Sequence, residues 1–130
     1  MKYAVAAVIQ KDNKVLLVRR SLQSRAQPGK WENPGGEVDE GETPELAIAR
    51  EIKEEIGVEF SIEKILIEDD FKNTDNDWHV ILYGGKIVGE PQVMTEEEIS
   101  EVNWFDITEL DSLDLASYTR EDFKRFGWIK

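Results

Sequence analysis

The amino-acid sequence predicts an α/β fold in which helices cover a mixed, partly antiparallel sheet. Three observations carry that prediction. Strand-like and helix-like segments alternate along the chain, hairpin patterns stand near both ends, and one central segment has the start, stop and stripe signals of an amphipathic helix. A length of 130 residues suits a single domain, 1–130, with its own core.

The first strand is expected over Tyr3 to Gln10 and the second over Lys14 to Arg19. They flank the polar turn Lys11-Asp12-Asn13, whose Asp and Asn tolerate turn angles. The apolar run Tyr3 to Ile9 superficially resembles a signal-peptide core, but it is short and runs directly into Gln10-Lys11-Asp12-Asn13. Ser21 to Lys30 is polar, ends in Pro28-Gly29 and reads as a surface loop. Trp31 opens a short extended piece that Pro34-Gly35-Gly36 interrupts, and Glu37-Val38 can pair briefly.

The central helix follows, with Thr43 as its cap, Pro44 in its first turn and Gly57 at its left-handed exit. Ile48, Ile52 and Ile56 recur at every fourth residue and, with Ala49, predict a narrow buried stripe. Further strands are expected over Ser61 to Ile67, Asp77 to Tyr83, Lys86 to Val88 and Val102 to Phe105, punctuated by Gly84-Gly85 and Gly89-Glu90-Pro91. A second helix is expected after Thr119. Its signals are a Thr119/Asp122 capping box, a Tyr118/Phe123 staple and a closing Gly127.

Composition removes several function classes. With no cysteine and one histidine, thiolate and multi-histidine metal sites are excluded. The remaining ligands are hard carboxylate oxygens, which favour Mg²⁺, Mn²⁺ or Ca²⁺ over zinc. A net charge of −12 argues against duplex nucleic acid and anionic membrane as partners. It leaves room for a phosphorylated small molecule if cations bridge the like charges. No apolar run is long enough to span a bilayer, and the default expectation is a cytoplasmic location.

Within the central helix Glu51, Glu54 and Glu55 stand at i, i+3 and i+4, inside an arc of roughly 100°. Arg50, four residues before Glu54, offsets their repulsion, and Ala47 on the same arc leaves space above them. Alone, three glutamates would read as a solvated acidic face. The segment before the helix changes that reading, because Pro34-Gly35-Gly36 lets backbone approach a ligand where a Cβ would clash. The full spacing is Gly36, five residues, Glu42, seven residues, Arg50-Glu51-Ile52, one residue, Glu54-Glu55, one residue, Gly57-Val58.

This set resembles the Nudix box, and matches it at every fixed position. Leu17 to Arg20, Gly29 to Pro34 and Glu101 to Phe105 also look like the family's usual surroundings. The likeness covers most of residues 3 to 110 and thins from Asp111 onward. It implies a Nudix-type α/β/α sandwich and an enzyme that uses water and Mg²⁺, with Mn²⁺ as a substitute, to cleave a nucleoside diphosphate linked to another group.

Mapped onto this chain, the resemblance implies that Glu51, Glu54 and Glu55, with Gly36, hold the metal and that Arg50 orients the carboxylates. Gly35, Glu42 and Gly57 have structural roles in the motif. Glu51 is the first choice for the general base. Relatives often recruit one more acid from a loop, for which Glu98 is preferred over Glu97 and Glu96 and is a second candidate for the base. Arg20 resembles a phosphate-contacting arginine, with Arg19, Arg25 and Lys30 nearby; the alternative is ordinary surface pairing. Trp31 and Trp104 read as core or edge residues, and Trp128 as a core cap. Trp78 and His79 open a strand that is half-buried on the simpler reading, while His79 is a candidate contact for a nucleobase.

Asn73 to Asn76 occupy the stretch where some subgroups carry a proline or tyrosine that marks substrate class, and they match neither. The short chain looks more like the nucleoside triphosphate enzymes than those acting on nucleotide sugars and other diphosphate conjugates. A non-catalytic nucleotide-binding module would be expected to lose box carboxylates, and none is lost. A homodimer is compatible with the resemblance.

Overall fold

Lys11 and Lys14 face each other across Asp12-Asn13, and Asp12 takes the left-handed backbone (φ 58°) that a two-residue turn needs. The expected first hairpin therefore forms, from β1 (Lys2–Lys11) and β2 (Lys14–Arg20). In this computed structural model, which describes residues 1–72 and 76–130, the chain continues through β3 (Trp31–Glu32), β4 (Gly35–Glu37) and α1 (Pro44–Ile56). It ends with β5 (Glu59–Lys72), β6 (Asp77–Val88), β7 (Ile99–Asp106), a 3₁₀ turn (Ile107–Ser112) and α2 (Ser117–Arg125).

β1 leaves β2 after the turn and runs parallel to β6, from Lys2 opposite Trp78 to Ile9 opposite Gly85. The sheet order is β3-β2-β1-β6-β5, with β4 paired to β1 and β7 to β2; every pairing except β1–β6 is antiparallel. The sheet is thus mixed, as expected. Alternate residues of β1 enter two cores, which explains its unbroken apolar run. Val5, Ala7 and Ile9 join Leu16, Val18, Ile81 and Tyr83 under α1. Val8 joins Val15, Leu17 and Leu82 under Leu110, Leu115, Phe123 and Ile129 from the C-terminal segment. Helices on both faces complete an α/β/α sandwich.

α1 starts and stops as its signals predict. Thr43 accepts the Leu46 amide at 3.2 Å, and Gly57, at φ 74°, donates its N–H to the Lys53 carbonyl at 3.0 Å. Its buried stripe differs by one residue. Ile48, Ile52 and Ile56 are buried with Ala47, whereas Ala49 is exposed. Ala47 lies on the side of the isoleucines that also carries Glu51 and Glu55, so the stripe widens toward the acidic residues and away from Ala49.

Three expectations are corrected. Gly35 and Gly36 belong to β4 and pair with Ala6 and Val5, rather than interrupting a strand. Gly84-Gly85 does not divide two strands but lies inside the single strand β6. A Cβ on Gly85 would stand 2.2 Å from the Ser61 carbonyl oxygen, so the glycine serves close strand approach and not a turn. α2 begins at Ser117, before Thr119; Ala116 precedes it without a side-chain cap, and Thr119 is buried inside the helix. The Tyr118 hydroxyl reaches Glu32 on β3.

Trp31 and Trp104 pack against the two cores, and Trp128 packs on Phe123 and Phe126, as expected. Asn73 to Asp75 of the subgroup-marking stretch lie outside the described residues. Among the described residues no helix is long and apolar enough to cross a membrane.

Candidate active site

On α1, Glu55 sits about 20° from Ile48 around the helix axis, inside the buried arc. It is 3% exposed. The compensation comes from β4, where the Gly35 N–H donates to Glu55 Oε1 at 2.8 Å. A Cβ on Gly35 would fall 2.1 Å from the Val5 carbonyl oxygen, and one on Gly36 would fall 2.5 Å from the Glu51 carboxyl carbon. The two glycines therefore let β4 pair with β1 on one side while the acidic face of α1 closes on the other.

Arg50 gathers the rest of the motif. Its Nε and Nη2 donate to the two oxygens of Glu42 at 2.7 and 2.9 Å, and its Nη1 to Glu51 at 2.9 Å and Glu54 at 3.2 Å. Nη2 also donates to the Glu37 carbonyl at 3.1 Å, tying α1 to β4. Hydrogen bonding to Arg50, and to the Asp39 amide, lowers the Glu42 carboxyl below its ordinary pKa. Glu42 thus braces the arginine through both carboxylate oxygens.

A cleft of about 380 Å³ opens beside this assembly, lined by Gly36, Glu51, Glu55, Glu98, Glu32 and Arg20 among others. Burial pushes the Glu55 carboxyl well above its ordinary pKa; Glu32, Glu51 and Glu98 add to the shift, and the Gly35 N–H opposes it. Burial likewise raises Glu51, against Arg50, with Glu54 and Glu98 adding. These are carboxylates crowded around one volume with insufficient positive charge.

Glu54 does not line the cleft. It stands about 100° from Glu55, with its side chain 54% exposed and turned to Arg50. Among the described residues no three acidic side chains converge as a ready-made metal cage. The donor set still fits a divalent cation. Glu51, Glu55 and Glu98 offer hard oxygens on one cleft, and the repulsion among them, which adds to burial in raising Glu51 and Glu55, is of the kind a dication relieves.

Glu98 and Glu97 reach the cleft through a specific loop contact. Buried Ser21 donates its N–H to the Glu98 carbonyl at 3.0 Å and its hydroxyl to the Glu97 carbonyl at 2.8 Å. Glu96 is exposed and outside the lining. Arg20 lines the cleft, whereas Arg19 points elsewhere, donating to Glu101 and to the Gly29 carbonyl, each at 2.9 Å. Arg25 is exposed, and Lys30 pairs with Asp114 at 2.6 Å. His79 also stands apart, bonded to Asp70 and to Glu68 and beside the Tyr3 ring, outside the cleft lining. Gly57 lies at the helix exit, away from the chemistry.

One site residue escapes the sequence. Glu32 is 8% exposed and accepts from Arg20 Nη1 at 3.0 and 3.2 Å and from the Tyr118 hydroxyl. Its position opposite Val18 turns it to the face of the α1-side core. That register depends on how β3 meets β2, and a two-residue strand announces no register of its own.

Comparison with known proteins locates this arrangement. The NUDIX domain family model matches residues 1–126. Nucleoside triphosphatase NudI of Enterobacter sp. (strain 638) is 29% identical over 96% of both chains. The ADP-ribose pyrophosphatase of Methanocaldococcus jannaschii is 34% identical over 85% of this chain, which spans 64% of that protein's length. A solved structure, the MutT NUDIX hydrolase from Burkholderia pseudomallei, superposes with a TM-score of 0.84 at 28% identity, covering 95% of each chain.

Proposed function

Because this chain belongs to the NUDIX family, we propose that it is a Mg²⁺-dependent pyrophosphohydrolase that converts a nucleoside or deoxynucleoside triphosphate to the monophosphate and pyrophosphate. The observation that carries the reading is the cleft itself. Glu51 and Glu55 of the complete box meet Glu98 there, in a lining whose one arginine among the described residues is Arg20. The full-length likeness to a nucleoside triphosphatase supports the choice of substrate over other diphosphates. The likeness to an ADP-ribose pyrophosphatase keeps nucleotide conjugates as the second reading.

In this proposal Glu51, Glu55 and Gly36 of the cleft lining, together with Glu54, would hold the metal, and Mn²⁺ would substitute for Mg²⁺. A bound Mg²⁺ supplies charge neutralisation of the diphosphate and a more acidic water. Glu51, on the cleft lining, accepts the proton of the attacking water. Glu98 is the second candidate. Arg20 donates to a phosphate oxygen, and Arg50 keeps Glu51 and Glu54 from drifting apart. The nucleotide is the partner, and a net charge of −12 argues against duplex nucleic acid and anionic membrane.

A panel of nucleoside triphosphates, nucleotide sugars and dinucleotides with Mg²⁺, followed by phosphate and pyrophosphate release, tests the proposal. Turnover of triphosphates with pyrophosphate release is expected. Turnover confined to conjugates would select the second reading, and no metal-dependent turnover on any of them would sink both.

A further inference from the structure

Arg20 reaches the cleft under more constraint than a surface arginine carries. Its Nε donates to the Ala26 carbonyl at 2.8 Å, and its Nη1 is spent on both oxygens of Glu32 and, at 3.4 Å, on the Tyr118 oxygen. Among the described residues Nη2 has no hydrogen-bond partner. Glu32 is buried, so it must draw donors toward itself. It takes one from Arg20 and the other from Tyr118, a residue of α2 that stands 86 positions away in the chain.

We propose that Tyr118 is a positioning residue for substrate binding: its hydroxyl shares Glu32 with Arg20 and so leaves Arg20 Nη2 free for a phosphate oxygen. The reason is competition for one carboxylate. A guanidinium and a carboxylate prefer the forked pair in which two nitrogens meet two oxygens. The Tyr118 hydroxyl occupies Glu32 Oε1, and only Nη1 of the arginine engages the carboxylate. Without that hydroxyl, Arg20 closes on Glu32 through both terminal nitrogens and Nη2 is no longer a free donor. The segment carrying Tyr118 is held in place independently, since Ser117 bonds the Gln27 side chain through N–H and hydroxyl, each at 3.2 Å.

This inference rests on the phosphate role given to Arg20, and the test separates the two. Binding of pyrophosphate in Mg²⁺ buffer is measured by calorimetry for the wild type, Tyr118→Phe, Arg20→Ala and the double variant. Kinetics on the best substrate are run beside it. Tyr118→Phe is expected to weaken pyrophosphate about 5-fold and to raise KM by a similar factor with kcat nearly unchanged, as loss of one hydrogen bond predicts. In the Arg20→Ala background the same change should have no further effect, because the two act through one group. Unchanged binding in Tyr118→Phe, while Arg20→Ala weakens it, would overturn the positioning role alone. Effects that multiply fully in the double variant would also overturn it. If Arg20→Ala binds as the wild type does, the phosphate role of Arg20 falls, and the role of Tyr118 with it.

Discussion

Arg50 makes five hydrogen bonds, to Glu42, Glu51, Glu54 and the Glu37 carbonyl, and each needs a particular nitrogen of the planar fork. A lysine keeps the charge but offers a single point of donation. Arg50→Lys should therefore lower kcat/KM about 10- to 100-fold, the usual cost of disturbing the groups that orient metal ligands. Circular dichroism should be unchanged, and initial rates across a Mg²⁺ titration check the prediction. At this scale the sequence was informative where spacing decides the outcome: Glu51 and Glu55 line the cleft, and Glu42 braces Arg50. It was silent where a side chain crosses between distant strands. Glu32 is invisible until β3 lies against β2, and His79 turns to the carboxylates of β5, a strand whose register with β6 includes two shifts.

α1 was legible as an element because cap, first-turn proline, stripe and exit glycine all agree. The glycine pairs at 35–36 and 84–85 were not, since the same dipeptide marks a turn or a close approach of two strands. Only the partner strand decides, and here the Ser61 and Val5 carbonyls decide it. α2 carries a burial cost that can be measured. Burial raises the Asp122 carboxyl from 3.8 to about 6; Asp69 and Glu121 add to the shift, and Arg125 opposes it. The folded state therefore favours the neutral acid. Stability from this group is complete below the unfolded pKa and is lost as pH rises through about 6. Asp122→Asn should stabilise the protein by about 1 kcal/mol at pH 8, after allowance for partial solvent screening, and by almost nothing at pH 3. Thermal unfolding of both proteins at the two pH values checks this. A gain that is equal at both would mean the carboxyl is not strained.

For the molecule as a whole, the class of fold followed from the alternation of elements, but the order of strands did not. β1 pairs in parallel with β6 across some seventy intervening residues, and no local pattern specifies such a partner. The consequence of that pairing is functional. With β1 central, β4 lies along it and brings Gly35 and Gly36 under the acidic side of α1, while β7 on the other arm carries Glu98 in from the preceding loop. A protein of net charge −12 thereby concentrates carboxylates in the cleft to which the proposal assigns an anionic substrate, and the proposal therefore calls for a cation between them. Pyrophosphate release from nucleoside triphosphates tests that claim most directly, measured for wild type with Mg²⁺, wild type with chelator, and Glu54→Gln with Mg²⁺. Full turnover is predicted in the first and none with chelator, while Glu54→Gln is predicted to be slower by about a hundred-fold or more at an unchanged Tm. Equal turnover in all three would contradict a metal-assisted reaction on the carboxylates of α1.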